Sequence, residues 1–218
     1  MKKFLYNNGL SLVFLTFFAF SWVGQIYFGL QEYNTELLQT NSSPVELGQY
    51  LLSGHFLQST FENWESEFLQ IALFVLFTIF LQQKGSSESK DFDKEEEVDR
   101  RPSPKRKGAP WPVRAGGWIL SIYRHSLTIA FVILFVLSFT LHFYGSLKDE
   151  NGKLDRMGEP LIGAADYILG SRFWFESLQN WQSEFLSIFA IMVLSIFLRQ
   201  QGSPQSKPVD APHMETGG

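Results

Sequence analysis

The sequence predicts an all-α fold: an integral membrane four-helix bundle built from two parallel-repeat helical hairpins, joined by a disordered charged linker. Three observations carry that prediction. Apolar residues gather into four blocks with the charges between them, although hydrophobic types make up only 45% of the 218-residue chain. The stretch Asn63–Leu69, Asn-Trp-Glu-Ser-Glu-Phe-Leu, returns 117 residues later at Asn180–Leu186 as Asn-Trp-Gln-Ser-Glu-Phe-Leu. Each copy leads into an apolar run ending Ile-Phe-Leu (79–81, 196–198) and then Gly-Ser-x-x-Ser-Lys (85–90, 202–207). Self-similarity at one offset marks a structural unit written twice.

Taken in order, residues 1–85 form the first transmembrane hairpin, with spans at about 10–30 and 61–82. Lys2 and Lys3 precede an apolar run, Leu10–Leu30, that covers the roughly 30 Å hydrocarbon core at 1.5 Å per residue. A cleaved signal peptide with Ala19-Phe20-Ser21 as its site is the rival reading. Two features oppose it: the run continues to Leu30, and the aligned segment Leu127–Leu147 lies in mid-chain. Gln31–Gly54 then reads as a polar loop with Asn41-Ser42-Ser43-Pro44, and Tyr50-Leu51-Leu52 as a short interfacial turn.

From Phe56 the apolar residues Leu57, Phe61, Trp64 and Phe68 recur on one helix face. The wholly apolar part, Phe68–Leu81, is too short to span alone. The helix is therefore expected to enter the membrane with its amphipathic lead, Trp64 at the headgroup level, and to end at Gly85 as a left-handed cap.

Residues 86–117 form the disordered cytoplasmic linker. An acidic run from Asp91 to Asp99 meets a basic one, Arg100, Arg101, Lys105, Arg106 and Lys107, and Pro102, Pro104, Pro110 and Pro112 forbid regular structure. The basic run reads as a solvated, positive-inside segment or as a dock for anionic lipid headgroups, with Trp111 and Trp118 dipping into the interface. Residues 118–202 repeat the hairpin, with spans at about 127–147 and 178–199 around a loop from Lys148 to Gly170. Trp174, Leu178, Trp181 and Phe185 renew the amphipathic stripe, so Trp64, Trp174 and Trp181 are the expected interfacial anchors. Residues 203–218 are a Pro/Ser/Gly tail, expected to be disordered.

Basic residues set the topology. Lys2, Lys3, the linker, Arg199 and Lys207 fall on one side of a four-span chain, which places both termini in the cytoplasm. Lys148, Lys153, Arg156 and Arg172 on the other side weaken that bias. Both hairpins start from the same side, so the repeats are parallel.

Polar residues of the even helices fall on one seam: Asn63, Glu67, Gln70 and Thr78 in the first copy, Asn180, Glu184, Ser187 and Ser195 in the second. Glu62 and Glu65, which become Gln179 and Gln182, fall on the outward polar face. Gln25 and His142, aligned with each other, sit about five residues from the outer ends of the odd helices. Asn63, Glu67, Asn180, Glu184, Gln25 and His142 are thus a candidate polar cluster near the pseudo-twofold axis. Two close carboxylates there would bind a proton or share a cation. The competing reading makes them helix-end caps and packing groups that reach interfacial water. A partner-binding surface is the third.

Other classes find little support. The net charge of −4 opposes nucleic-acid binding. Without cysteine there is no disulfide, thiolate metal site or Cys nucleophile. His125 and His142 lie about 25 Å apart along one helix and cannot share an ion, and His55 reads as a loop residue. Gly-Ser-x-x-Ser-Lys lacks the spacing of a phosphate loop and reads as a cap with an interfacial lysine. No metal site, no cofactor and no enzymatic activity are expected. The expected partners are the lipid bilayer and either a second copy or another membrane protein.

The paired Asn-Trp-[Glu/Gln]-Ser-Glu-Phe-Leu motifs, the Phe-Leu-[Arg/Gln]-Gln-x-Gly-Ser exits and the tail Ser-Lys-Pro-Val-Asp-Ala-Pro-His carry a resemblance. Together they resemble a family of small, uncharacterised bacterial membrane proteins known only as a domain of unknown function. The resemblance implies a multi-pass protein of the bacterial cytoplasmic (inner) membrane. It supplies no activity, substrate or site residue.

Overall fold

The computed structural model describes residues 2–217, without the side chain of Lys2. Among the described residues the regular structure is helical: α1 (Lys2–Asn7), α2 (Gly9–Gln39), α3 (Leu47–Tyr50), α4 (Gly54–Phe77), α5 (Trp111–Ala115), α6 (Gly117–Arg124), α7 (Ser126–Met157), α8 (Ala164–Leu169) and α9 (Ser171–Phe197). Three of these, α2, α7 and α9, are long and apolar enough to cross a membrane. Helix α4 is about 36 Å long by its rise. It does not share their composition, because Glu62, Glu65 and Glu67 stand in its middle.

Both long odd helices outrun their expected ends. Helix α2 passes Leu30 and stops at Gln39, so Gln31–Gln39 is helix where the sequence suggested a polar loop. Helix α7 likewise passes Leu147 to Met157. Polarity was a poor stop signal, because a helix leaving the bilayer keeps its backbone bonds and only changes its side chains. The true stops are geometric. Asn41 takes a left-handed φ of 56°, with the Asn41 and Ser42 N–H groups donating to the carbonyls of Leu38 and Leu37. Gly158 at φ 72° does the same, Gly158 N–H donating to Asp155 and Glu159 N–H to Leu154. These are Schellman caps at positions 117 apart.

The even helices start earlier and stop earlier than expected. Helix α4 begins at Gly54 and includes His55, so that histidine is not in a loop. It ends at Phe77, where Thr78 turns its hydroxyl back onto the Phe74 and Val75 carbonyls. Such back-bonding competes with the helical ladder and helps stop it. Gly85 is therefore not the helix cap. With Gly202 it is a left-handed residue of the exit turn, at φ 85° and 82°. In each copy a Gln N–H (83, 200) donates to the second Ser of the motif (89, 206), whose hydroxyl donates to the next Lys carbonyl.

The linker has no helix or strand between 78 and 110, but α5 and α6 then form despite Pro110 and Pro112. Those prolines lie just before and within the first turn of α5, where no backbone N–H is needed. The tail after Phe197 is likewise a run of turns. Lys207, 2% exposed, donates from Nζ to the carbonyls of Pro212, His213 and Glu215, and Gly85 N–H donates to Thr216.

The chain divides into two compact units. The first holds Met1–Phe61 and Thr140–Trp174, and the second holds Glu62–Phe139 and Phe175–Gly218. In the first unit α4 and α7 approach closely, because a Cβ on Gly54 would stand 2.3 Å from the Asp149 backbone nitrogen and one on Gly145 2.5 Å from that of Gln58. Small residues are what permit such helix contacts in membranes. Helix α2 joins them through the Gln25 amide, 3.3 Å from the Thr60 hydroxyl. In the second unit α4, α7 and α9 meet through Phe68 on Phe131 and Phe135 on Trp181.

Candidate functional site

The sequence singled out six polar residues, and they divide between the two units. Asn63, Glu67, Asn180 and Glu184 belong to the second. Next to them the Gln70 amide donates to the Glu184 carbonyl at 2.6 Å and to Ser187 Oγ at 2.7 Å. Gln70 and Ser187 are 117 residues apart, so the contact joins equivalent positions of the two copies. The Asn180 amide donates to the Glu176 carbonyl within its own helix, and the Asn63 and Asn180 carbonyls accept from Ser66 and Ser183. Glu67 is exposed, Glu184 half-buried.

Gln25 and His142 belong to the first unit. Gln25 donates to the Ser59 and Thr60 hydroxyls. His142 is fully buried, its ring 5.0 Å from that of Phe173.

Two groups that the sequence did not mark carry more of the structure. Glu65, assigned to the outward polar face, is fully buried and accepts from Trp181 Nε1 at 3.2 Å. An indole N–H in an apolar layer seeks an acceptor, and that need was the available signal. The second is an ion network in the first unit. The Asp149 carboxylate, 3% exposed, accepts from Lys153 at 2.9 Å and Arg172 at 3.1 Å. Arg172 also pairs with Glu150, and Lys153 reaches Glu36 at 3.8 Å. Of these residues only Lys153 and Arg172 were counted from the sequence, as loop charges.

The remaining expected residues are simply placed. Trp174 Nε1 donates to the Ile168 carbonyl, and Trp64 is half-buried on α4. Arg100 and Arg106 both approach Glu97, while Arg101, Lys105 and Lys107 are exposed in the linker.

These features define an all-helical chain with three membrane-length apolar helices among the described residues, with Gln25, Glu65 and Gln70 joining helix to helix. It belongs to the family described as Domain of unknown function (DUF6766), whose model matches residues 1–218. No curated protein and no solved structure matches the chain.

Proposed function

We propose that the chain is a four-span, multi-pass protein of the bacterial cytoplasmic membrane, with a structural or accessory role exercised by holding partners and not by catalysis. In this reading α4 is the fourth span, the two hairpins are a tandem duplication, and both termini and the linker lie in the cytoplasm. One observation carries it. The Asn34 side chain holds Val45 by two hydrogen bonds, Nδ2–H to the carbonyl at 3.0 Å and Oδ1 from the N–H at 2.7 Å. Asn151 holds Ile162 by the same pair, at 3.1 and 2.8 Å. Two loops tied alike, 117 residues apart, fit two copies of one hairpin entered from the same side. Each loop then leads into an even helix, which gives α4 the place that α9 has in the second copy.

The native chain has no cysteine, so single cysteines report cleanly. Positions Ser43 and Glu159 are expected to react with a membrane-impermeant maleimide from outside intact cells, and Ser103 and Ser206 only after lysis. Labelling of Ser43 and Glu159 from opposite sides would overturn the four-span reading. For the partner role, reversing Arg100, Arg101, Lys105, Arg106 and Lys107 should abolish in-membrane crosslinks to neighbouring proteins or binding to anionic vesicles. Unchanged crosslinks and binding would reject the linker as the contact.

A second reading, a small ion or proton pathway, is favoured by the two carboxylates Glu67 and Glu184 of the second unit, beside the Gln70 contact of α4 with α9. It predicts flux in proteoliposomes that Glu67→Gln and Glu184→Gln each suppress. Flux in the double variant equal to that of the native chain, or native flux no greater than that of empty vesicles, would remove it.

A further inference from the structure

Two adjoining cavities of the second unit have opposite character and share one carboxylate. The first, about 710 Å³, lies between α4 and α9 and is walled by Leu73, Phe74, Phe77, Phe185, Ile188 and Met192. Its polar lining includes Gln70, whose amide is already committed to Glu184 and Ser187. At its other end stand Gln82, Gln83, Glu88 and Ser89. The volume is that of a small-ligand site, and the walls are what an alkyl chain requires.

The second cavity, about 920 Å³, shares Thr78, Glu88 and Ser89 with the first. Its lining carries six carboxylates (Glu88, Asp91, Glu95, Glu96, Asp99, Glu215) against two lysines. Both lysines are engaged, Lys90 with Asp99 at 2.9 Å and Lys94 with Asp91 at 3.4 Å. The excess is negative, so a cation is favoured there and an anion opposed.

Glu88 stands where the two meet. With the Gln205 amide turned to donate, its nitrogen lies 2.6 Å from Glu88 Oε1. No basic side chain among the described residues pairs with Glu88, and burial pushes its carboxyl up from the usual range. A cationic group brought to this point would gain a charge-assisted hydrogen bond and relieve that burial cost.

We propose that this pair of cavities binds a single-chain amphiphile with a cationic ammonium head, its tail between Leu73, Phe77 and Ile188 and its head beside Glu88 in the acidic chamber. A phosphate-bearing lipid is disfavoured, because the same chamber would repel its phosphate.

The full-length protein in phosphatidylcholine nanodiscs is labelled with a decylamine derivative carrying a photoreactive diazirine in its tail, and adducts are mapped by mass spectrometry. Adducts are expected on the peptides holding Leu73–Phe77 and Phe185–Met192. Excess unlabelled decylamine, a protonated primary ammonium at neutral pH, should remove them and decyl sulfate should not. Glu88→Gln should lower their yield roughly tenfold, the loss of one charge-assisted bond. Ile188→Trp, which fills the apolar cavity and leaves every charge in place, should lower it as well, with elution on size exclusion confirming the fold. Adducts spread evenly over lipid-facing surfaces such as Phe14–Phe20 would overturn the proposal. So would equal competition by decyl sulfate, or full labelling of Glu88→Gln.

Discussion

The loops after α2 and α7 share one frame and fill it with different chemistry. Each long helix ends in a Schellman cap, each is tied by an Asn clamp to Val45 or Ile162, and each is followed by a buried tyrosine, Tyr50 or Tyr167. In the first loop the interior is aromatic: Tyr33, Tyr50 and His55 lie with ring centroids 5.2–5.9 Å apart. In the second, Glu150 and Arg172 occupy the places of Tyr33 and His55 and join the Asp149 network. A backbone frame thus tolerates either solution, provided that every polar group it buries is matched. The consequences of removing one member differ, because an ion left alone in the interior costs far more than a lost ring contact.

That contrast can be broken by substitution. The largest effect is expected for Asp149→Ala, which removes the buried carboxylate that Lys153 and Arg172 share, leaves them only Glu36 and Glu150, and should cost about 3 kcal/mol. The equivalent Glu32→Ala, at an exposed position, should cost less than about 1 kcal/mol. Thermal unfolding in detergent measures both, and equal losses would show that the two loops are held alike. Next is Gly29→Ser, which writes the residue of the second loop into the first. Ser146 shares a hydrogen bond with the Tyr167 hydroxyl, whereas a Cβ on Gly29 would meet the Tyr50 hydroxyl at 2.1 Å. Overpacking predicts a loss of roughly 1–3 kcal/mol for this change. A neutral result would mean that Tyr50 moves aside as readily as Tyr167 has been accommodated. Smaller and symmetric losses, about 1–2 kcal/mol each, are expected for Asn34→Ala and Asn151→Ala, since both leave loop backbone groups unmatched. Unequal losses would argue against a common frame.

The caps, clamps and tyrosines of this frame were not read from the sequence, which showed only a repeat of period 117. The seam read through Gln70 and Ser187 is a helix contact in the structure. What escaped were features that depend on a third dimension. The extension of α2 to Gln39 was hidden because polar side chains at a membrane surface look like loop. Glu65 was hidden because a carboxylate in an amphipathic lead reads as solvent-facing until Trp181 is placed against it. The Asp149 network was hidden because its members lie in three elements, and the i, i+4 spacing of Asp149 and Lys153 pairs them only once the segment is known to be helix and not loop.

The smallest expected effect distinguishes the loops by pH. Burial, then the charge of Glu32 and the neighbouring Tyr33, push the Tyr50 hydroxyl up to about 12. In the unfolded chain a tyrosine ionises near 10. Below that value both states hold the proton, and the fold keeps its full stability. Above it the unfolded state releases the proton while the folded state cannot, so stability falls between pH 10 and 12 and has lost about 1 kcal/mol by pH 11. The position is fully buried, so solvent does little to screen this cost. Tyr50→Phe should remove this part of the alkaline decline while leaving the Asp149 network in place. If the decline persists unchanged in Tyr50→Phe, the alkaline weakness lies elsewhere in the molecule, and the aromatic loop is not its source.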